Sequence, residues 1–263
     1  MNTARRPLAI ASALLLLALL LAWEGAARGL GLSALVLPAP SRVGQALWQG
    51  LASGYFWPHL RATTQALVLG VLAGCSIGFA AGVAMAESRL LHGLFMPYVV
   101  LSQVVPKLAL MPLFILWFGF GMTSTVVITA LICFFPLLET TLTSLRQVAP
   151  ERLELFRMLG AGRAQVLWRL KVPSGLPGIL AGLRVAVMLA LVGAVVGEFM
   201  GASRGLGALV IAAQGSMDTP LMFAVLVLIA ALGLLAYQLT LLLERRLLRP
   251  YTSLNEQRPG EHP

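Results

Sequence analysis

The sequence predicts an all-α membrane protein with about six spanning helices, and three observations carry that prediction. Hydrophobic residues make up 59 % of the 263 positions and charged residues 11 %, with a mean hydropathy of +0.88, whereas a soluble domain carries about 25 % charge. Apolar stretches recur that are long enough to cross a hydrocarbon core of roughly 30 Å. The cations are also unevenly shared. With both termini inside, 13 of the 19 Lys and Arg fall on inner segments and four (Arg28, Arg42, Arg61, Arg204) outside, with Lys107 and Arg184 within spans. Positive residues concentrate in short cytoplasmic loops, so the net charge of +9 reads as topology and not as nucleic-acid binding. One transmembrane domain over 1–263 is expected, with a first helix at 1–28 and a core at 62–250.

The first element follows Arg5 and Arg6: the Leu/Ala run Pro7–Trp23 fits either a signal peptide or a first helix continuing to Ala27. Its length and Trp23, suited to an interface, favour the retained helix. Residues 29–61 are rich in Pro, Gly and aromatics; they read as an outer connector or a partner platform, with Val43–Leu51 amphipathic.

Ala62–Ala86 carries no charge and forms the next span. Gly70, Gly74, Gly78 and Gly82 recur every fourth residue and share one helix face, which lets two backbones approach closely. A short inner turn at Glu87–His92 leads to a span near Leu94–Phe118, interrupted by Pro97, Pro106 and Pro112. Such breaks at membrane depth persist where protein or a watery cavity satisfies the freed carbonyls. Lys107, between two of them, is either a path-lining residue or a structural cation.

Phe118–Gly121 reads as an outer turn and Thr123–Leu142 as the span back, with Glu139 near its inner end. Leu176–Met200 goes out again with Glu198 near its outer end, 201–218 is an outer loop, and Thr219–Leu243 returns. Lys107 and Glu198, the costliest buried charges, are the candidate translocation-path residues.

Between the fourth and fifth spans lies the polar segment ERLELFRMLGAGRAQVLWRLKVP, Glu151–Pro173, with Arg152, Arg157, Arg163, Arg169 and Lys171. Gly160 suggests two short helices with a turn between them. Glu154-Leu155-Phe156-x3-Gly160 is followed by Leu170-x-Val172-Pro173, a pattern that resembles the EAA loop of ATP-binding-cassette (ABC) importer permeases. Leu155 and Phe156 stand where that loop has two alanines. LPAPSRV, PKLALMPLFILWFGFG, ICFFP and GAVVGEF are similar to the nitrate/sulfonate/taurine type, and among these to the branch handling thiamine-precursor pyrimidines or riboflavin-like compounds.

The resemblance implies a type I ABC importer permease fold in the bacterial inner membrane, multi-pass with both termini cytoplasmic. It implies a coupling loop at 144–175, in which Glu154, Leu155, Phe156, Arg157, Leu159, Gly160 and Pro173 dock on a cytoplasmic ATPase dimer. Helix-in-groove recognition is the physical form of such docking; the rival use of this basic helix is to lie on anionic lipid. The implied partners are a second permease subunit, expected to be a copy of this chain, and a periplasmic or lipid-anchored binding protein that delivers an organosulfonate or nitrate-type anion or a heteroaromatic compound. No GxxxxGK[ST] occurs in the chain, so ATP and Mg²⁺ belong to the partner ATPase and no cofactor is expected here. Cys75 and Cys133 lie in apolar spans and His59, His92 and His262 are scattered, which leaves no metal-ligand spacing. A secondary transporter or channel uncoupled from an ATPase is the alternative; a membrane enzyme would need clustered catalytic residues.

Overall fold

The computed structural model describes residues 5–29 and 35–252. The tail arginine Arg258 lies outside the described residues, and the side chains of Arg5 and Arg6 are likewise not described. Helices follow one another as α1 (Arg5–Gly29), α2 (Pro40–Ala52), α3 (Trp57–Glu87), α4 (Arg89–Val104), a single 3₁₀ turn (Lys107–Leu110), α5 (Met111–Phe118) and α6 (Met122–Arg146). Then come α7 (Pro150–Met158), α8 (Arg163–Val166), a π turn (Leu167–Lys171), α9 (Val172–Gly201), α10 (Leu206–Gly215) and α11 (Thr219–Thr252).

Among the described residues, four helices are long and apolar enough to cross a membrane: α3, α6, the continuous run Arg163–Gly201, and α11. The span expected near Leu94–Phe118, interrupted at its prolines, is broken by a bend of 86° between α4 and the Lys107–Phe118 segment. Pro106 removes a backbone donor at this bend, and its ring disfavours helical geometry for Val105, whose backbone is extended (φ −69°, ψ 125°). The turn expected at Glu87–His92 shrinks to Ser88, whose hydroxyl caps α4 by accepting from the Leu91 N–H at 3.3 Å. The expected outer loop at 201–218 contains α10, a helix too short to span but apolar enough to be buried.

The core is α6 held between α3 and α9. Gly70, Gly74, Gly78 and Gly82 are buried against α6: a Cβ at these positions would lie 2.6 Å from Thr129 Cβ, 2.8 Å from Ala130 Cα, 2.5 Å from the Phe134 carbonyl and 2.7 Å from Thr141 Cβ. Both sequences ascend together along this seam, so α3 and α6 run parallel. On its other side α6 meets Gly182, Gly193 and Gly197 of α9 through Thr140, Ile132 and Ile128, in descending order, so α9 is antiparallel. Two seams of missing side chains thus let the α3 and α9 backbones close on the backbone and side chains of α6, the packing mode open to helices in lipid.

Cations finish the α7 end of this bundle. Arg146 donates to the Met85 carbonyl at 3.1 Å and Lys171 pairs with Glu87 at 2.6 Å, so the negative end of α3 receives two positive side chains. Arg184 and Glu244 tie α9 to α11 at 2.6 Å. At the opposite end the Glu24 carboxylate accepts from the Ser41 N–H (3.0 Å) and hydroxyl (2.8 Å), capping α2. The aromatic connector is not a uniform interface belt, since Phe56 is wholly buried while Trp48, Tyr55 and Trp57 are exposed.

Candidate functional site

Three places in this frame gather the residues singled out by sequence. The first is the α7–α8 projection. Pro150 starts α7 at a position where its missing N–H costs nothing, and the helix ends on a Schellman motif. The Gly160 N–H donates to Arg157 O and the Ala161 N–H to Phe156 O, both at 3.0 Å, with Gly160 at φ +72°. That conformation is the left-handed one a β-carbon opposes. The Gly162 N–H then donates to Gln165 Oε1 at 3.0 Å, opening α8. Pro173 has no N–H to give the carbonyl four residues back, and the ladder just before it widens into the π turn, where Val172 N–H bonds Leu167 O.

Leu155, Met158 and Leu159 fall at i, i+3 and i+4 and form one face, 54 %, 86 % and 74 % exposed, with Trp168 exposed at 58 % beyond the turn. Met158 and Trp168 were missing from the sequence-derived set, although the i, i+3, i+4 spacing was there to place Met158. Phe156 falls off that face and is half-buried, while Glu154 and Arg157 flank it in solvent. The projection therefore offers an apolar tip rimmed by charge.

The second place is a groove of about 650 Å³ at the α4–α5 break. Lys107 stands there, half-buried, its Nζ 4.4 Å from the centroid of the Phe135 ring near the middle of the 25-residue α6. Among the described residues no carboxylate comes within ion-pair distance of Lys107. Gln103, Glu139 and Thr140 border the same groove, and Val185, Leu189 and Val192 of α9 form its apolar wall.

The third is at the opposite end, beside a cavity of about 700 Å³ that Trp57, Arg61, Gln65, Glu198 and Arg204 help to line. Glu198 is 2 % exposed and accepts from the Gly207 N–H (2.7 Å) and the Thr63 hydroxyl (3.0 Å). Thr63 in turn accepts from the Leu206 N–H at 2.8 Å. The two first orphan donors of α10 are thus met by side chains from α9 and α3, and the positive end of α10 faces a carboxylate. Sequence could not find this clamp, because Thr63 and Glu198 are 135 positions apart. Lys107 and Glu198 occupy separate places and do not meet. Among the described residues there is no cluster of His, Cys, Asp or Glu fit for a metal ion.

Comparison with known proteins follows the same lines. Residues 66–249 match the family described as the binding-protein-dependent transport system inner membrane component. The chain is 39 % identical over 234 residues to the riboflavin transport system permease protein RibX of Chloroflexus aurantiacus, spanning 89 % of this chain and 87 % of that protein. It is 36 % identical to the formylaminopyrimidine transport permease protein ThiX of Halalkalibacterium halodurans, over 91 % and 95 % of the two chains. It is 34 % identical to the taurine transport system permease protein TauC of Escherichia coli, over 82 % and 80 %. An inward-facing structure of the MetNI methionine ABC transporter superposes with a TM-score of 0.64 at 20 % identity, covering 74 % of this chain and 99 % of that one, a likeness of fold.

Proposed function

This chain belongs to the family of binding-protein-dependent transport inner membrane components, and on that premise we propose that α7 is the handle by which a separate ATPase drives it. The chain is a permease subunit of an ABC importer and not an enzyme; ATP hydrolysis resides in a partner. In our reading the α7 end of the bundle is cytoplasmic, as are both termini, in keeping with the distribution of Lys and Arg. Two copies of the chain pair so that the Lys107 grooves face one another and form the path. A binding protein docks at the opposite end, near the Glu198 cavity. The cargo is a small organic solute, and the names of the relatives divide between heteroaromatic compounds and sulfonates.

The observation that carries this reading is the exposed face of Leu155, Met158 and Leu159, held clear of the bundle and ended by a fixed turn. A soluble surface has little reason to present three adjacent large apolar side chains unless a partner covers them. ATP-driven approach of two ATPases would pull a pair of such helices together and rock the permease between its inward- and outward-open forms. The test is Met158→Glu, alone and with Leu159→Glu. Both side chains are solvent-facing, so thermal stability is expected to hold, while ATPase recovery in mild-detergent pull-downs falls roughly tenfold or more, as for a central contact residue. Wild-type recovery of the ATPase by the double variant would sink the docking assignment.

A further inference from the structure

The groove at the α4–α5 break holds a set of groups whose chemistry selects one of the two cargo classes. We propose that Lys107, Phe135 and Glu139 form a transient binding site for a planar heteroaromatic solute that carries both hydrogen-bond acceptors and donors on its edge. The proposal rests on reading the chain as an importer permease and deepens it by naming what the path recognises.

Lys107 is the starting point. Its ammonium rests over Phe135, beside the midpoint of α6, with no carboxylate in reach among the described residues. A charge at that depth persists where it faces protein or a water-filled path, because facing lipid is too costly. The flank of α9 beside it is apolar and open, with Val185 52 % and Val192 50 % exposed. A second copy closing this flank keeps the cation out of lipid and turns the groove into an enclosed passage. At about 650 Å³ the groove is of the size that takes small organic molecules.

The remaining groups decide the cargo. Phe135 is only 8 % exposed, with Lys107 over its face, so an incoming molecule reaches the ring by displacing the ammonium. A π-face attracts cations and planar rings and repels anions. Cargo that stacks there must also give the displaced ammonium an acceptor, since a desolvated cation left unpaired is costly. Glu139 lies one helical turn from Phe135 on the same side of α6 and lines the groove. Its carboxylate takes an N–H and repels a negative charge. Gln103, across the groove on α4, supplies one donor and one acceptor group.

A ring edge with alternating C=O and N–H satisfies this set, with C=O to Lys107, N–H to Glu139 and the ring on Phe135. An alkanesulfonate without an amine, or nitrate, offers acceptors alone. It would satisfy Lys107 while facing both the Glu139 carboxylate and the negative face of the ring.

The test uses the assembled complex of permease and ATPase in nanodiscs without binding protein, and radiolabelled riboflavin and formylaminopyrimidine as probes, with ethanesulfonate and nitrate as competitors. At least one heteroaromatic probe is expected to bind saturably and to resist both competitors. Lys107→Met, Phe135→Leu and Glu139→Gln should each weaken that binding roughly tenfold or more, the usual loss on removing a charge-assisted hydrogen bond or a stacking face. Competition by ethanesulfonate or nitrate, or binding unchanged in all three variants, would overturn the site. Should the variants fail to assemble, the competition in the wild-type complex decides alone. Recovery of the ATPase is scored in the same preparations: its absence condemns the importer reading itself, whereas ATPase recovered without heteroaromatic binding condemns only the site.

Discussion

Replacing Gly74 by alanine tests the seam on which the bundle closes. The added Cβ would stand 2.6 Å from Cys133 Sγ and 2.8 Å from Ala130 Cα, and closer still to the Ala130 carbonyl oxygen. Against the 3.4 Å at which ordinary contact begins, the shortfall is roughly 0.6–0.8 Å at the Cα and sulfur and larger at the carbonyl oxygen. Cys133 could turn away, but Ala130 presents backbone and cannot. The two helices must therefore part by most of that distance, and a gap of about 0.5–1 Å already forfeits a quarter to a half of each dispersion contact along the seam. Overpacking of this kind costs about 1–3 kcal/mol, offset by about 1 kcal/mol of helix propensity on going from Gly to Ala. Gly93→Ala supplies the reference, because nothing lies within 4 Å of its Cβ and it takes the same propensity gain inside α4. In thermal unfolding of the detergent-purified protein, Gly74→Ala should fall below Gly93→Ala by about 1–3 kcal/mol, and Gly74→Leu should fail to assemble. Equal stability of the two alanine variants would refute the claim that backbone contact, and not side-chain packing, closes α3 on α6.

Two further perturbations address the ends of the bundle. Gly160→Val finds open space around its Cβ but an unfavourable φ of +72°, a conformational cost of about 1–2 kcal/mol or more for a β-branched residue. It should leave the bundle folded while lowering uptake and ATPase recovery together, and unchanged uptake would count against a fixed turn. Glu198→Ala strands the Gly207 N–H, at about 1–3 kcal/mol for a buried group left unmatched, while the Thr63 hydroxyl keeps the His59 carbonyl as acceptor at 3.2 Å; Glu198→Gln, keeping one acceptor, should lose less. Melting temperatures that do not separate the two variants would remove the clamp.

The residues that repeat were legible in the sequence, and those that meet across long separations were not. The four-residue glycine period of α3 announced a close approach, yet nothing in Thr129, Ala130 and Phe134 marked α6 as the surface approached. Glu154, Gly160 and Pro173 located the projecting loop; the Schellman turn follows from Gly160, and the π turn accompanies Pro173. The prolines foretold a broken segment between Leu94 and Phe118, but not the 86° through which the chain turns there. Helix α10 was hidden because Gly201, Gly205 and Gly207 read as loop punctuation, whereas Gly207 is there for clearance: its Cβ would stand 2.9 Å from Glu198 Cβ. Lys107 stood out as a costly charge in the sequence alone, and the ring beneath it did not.

The unbroken rod from Arg163 to Gly201 has a mechanical meaning. At 39 residues it is roughly 58 Å long at the standard helical rise, and it joins the exposed loop at one tip to the Glu198 clamp near the other. If the projection docks as proposed, a push delivered beside Trp168 would be transmitted as leverage along this one member, with the widened turn before Pro173 as its softest joint. Because Glu198 grips both α3 and α10, tilting that member would shift the walls of the far cavity without any intermediate relay.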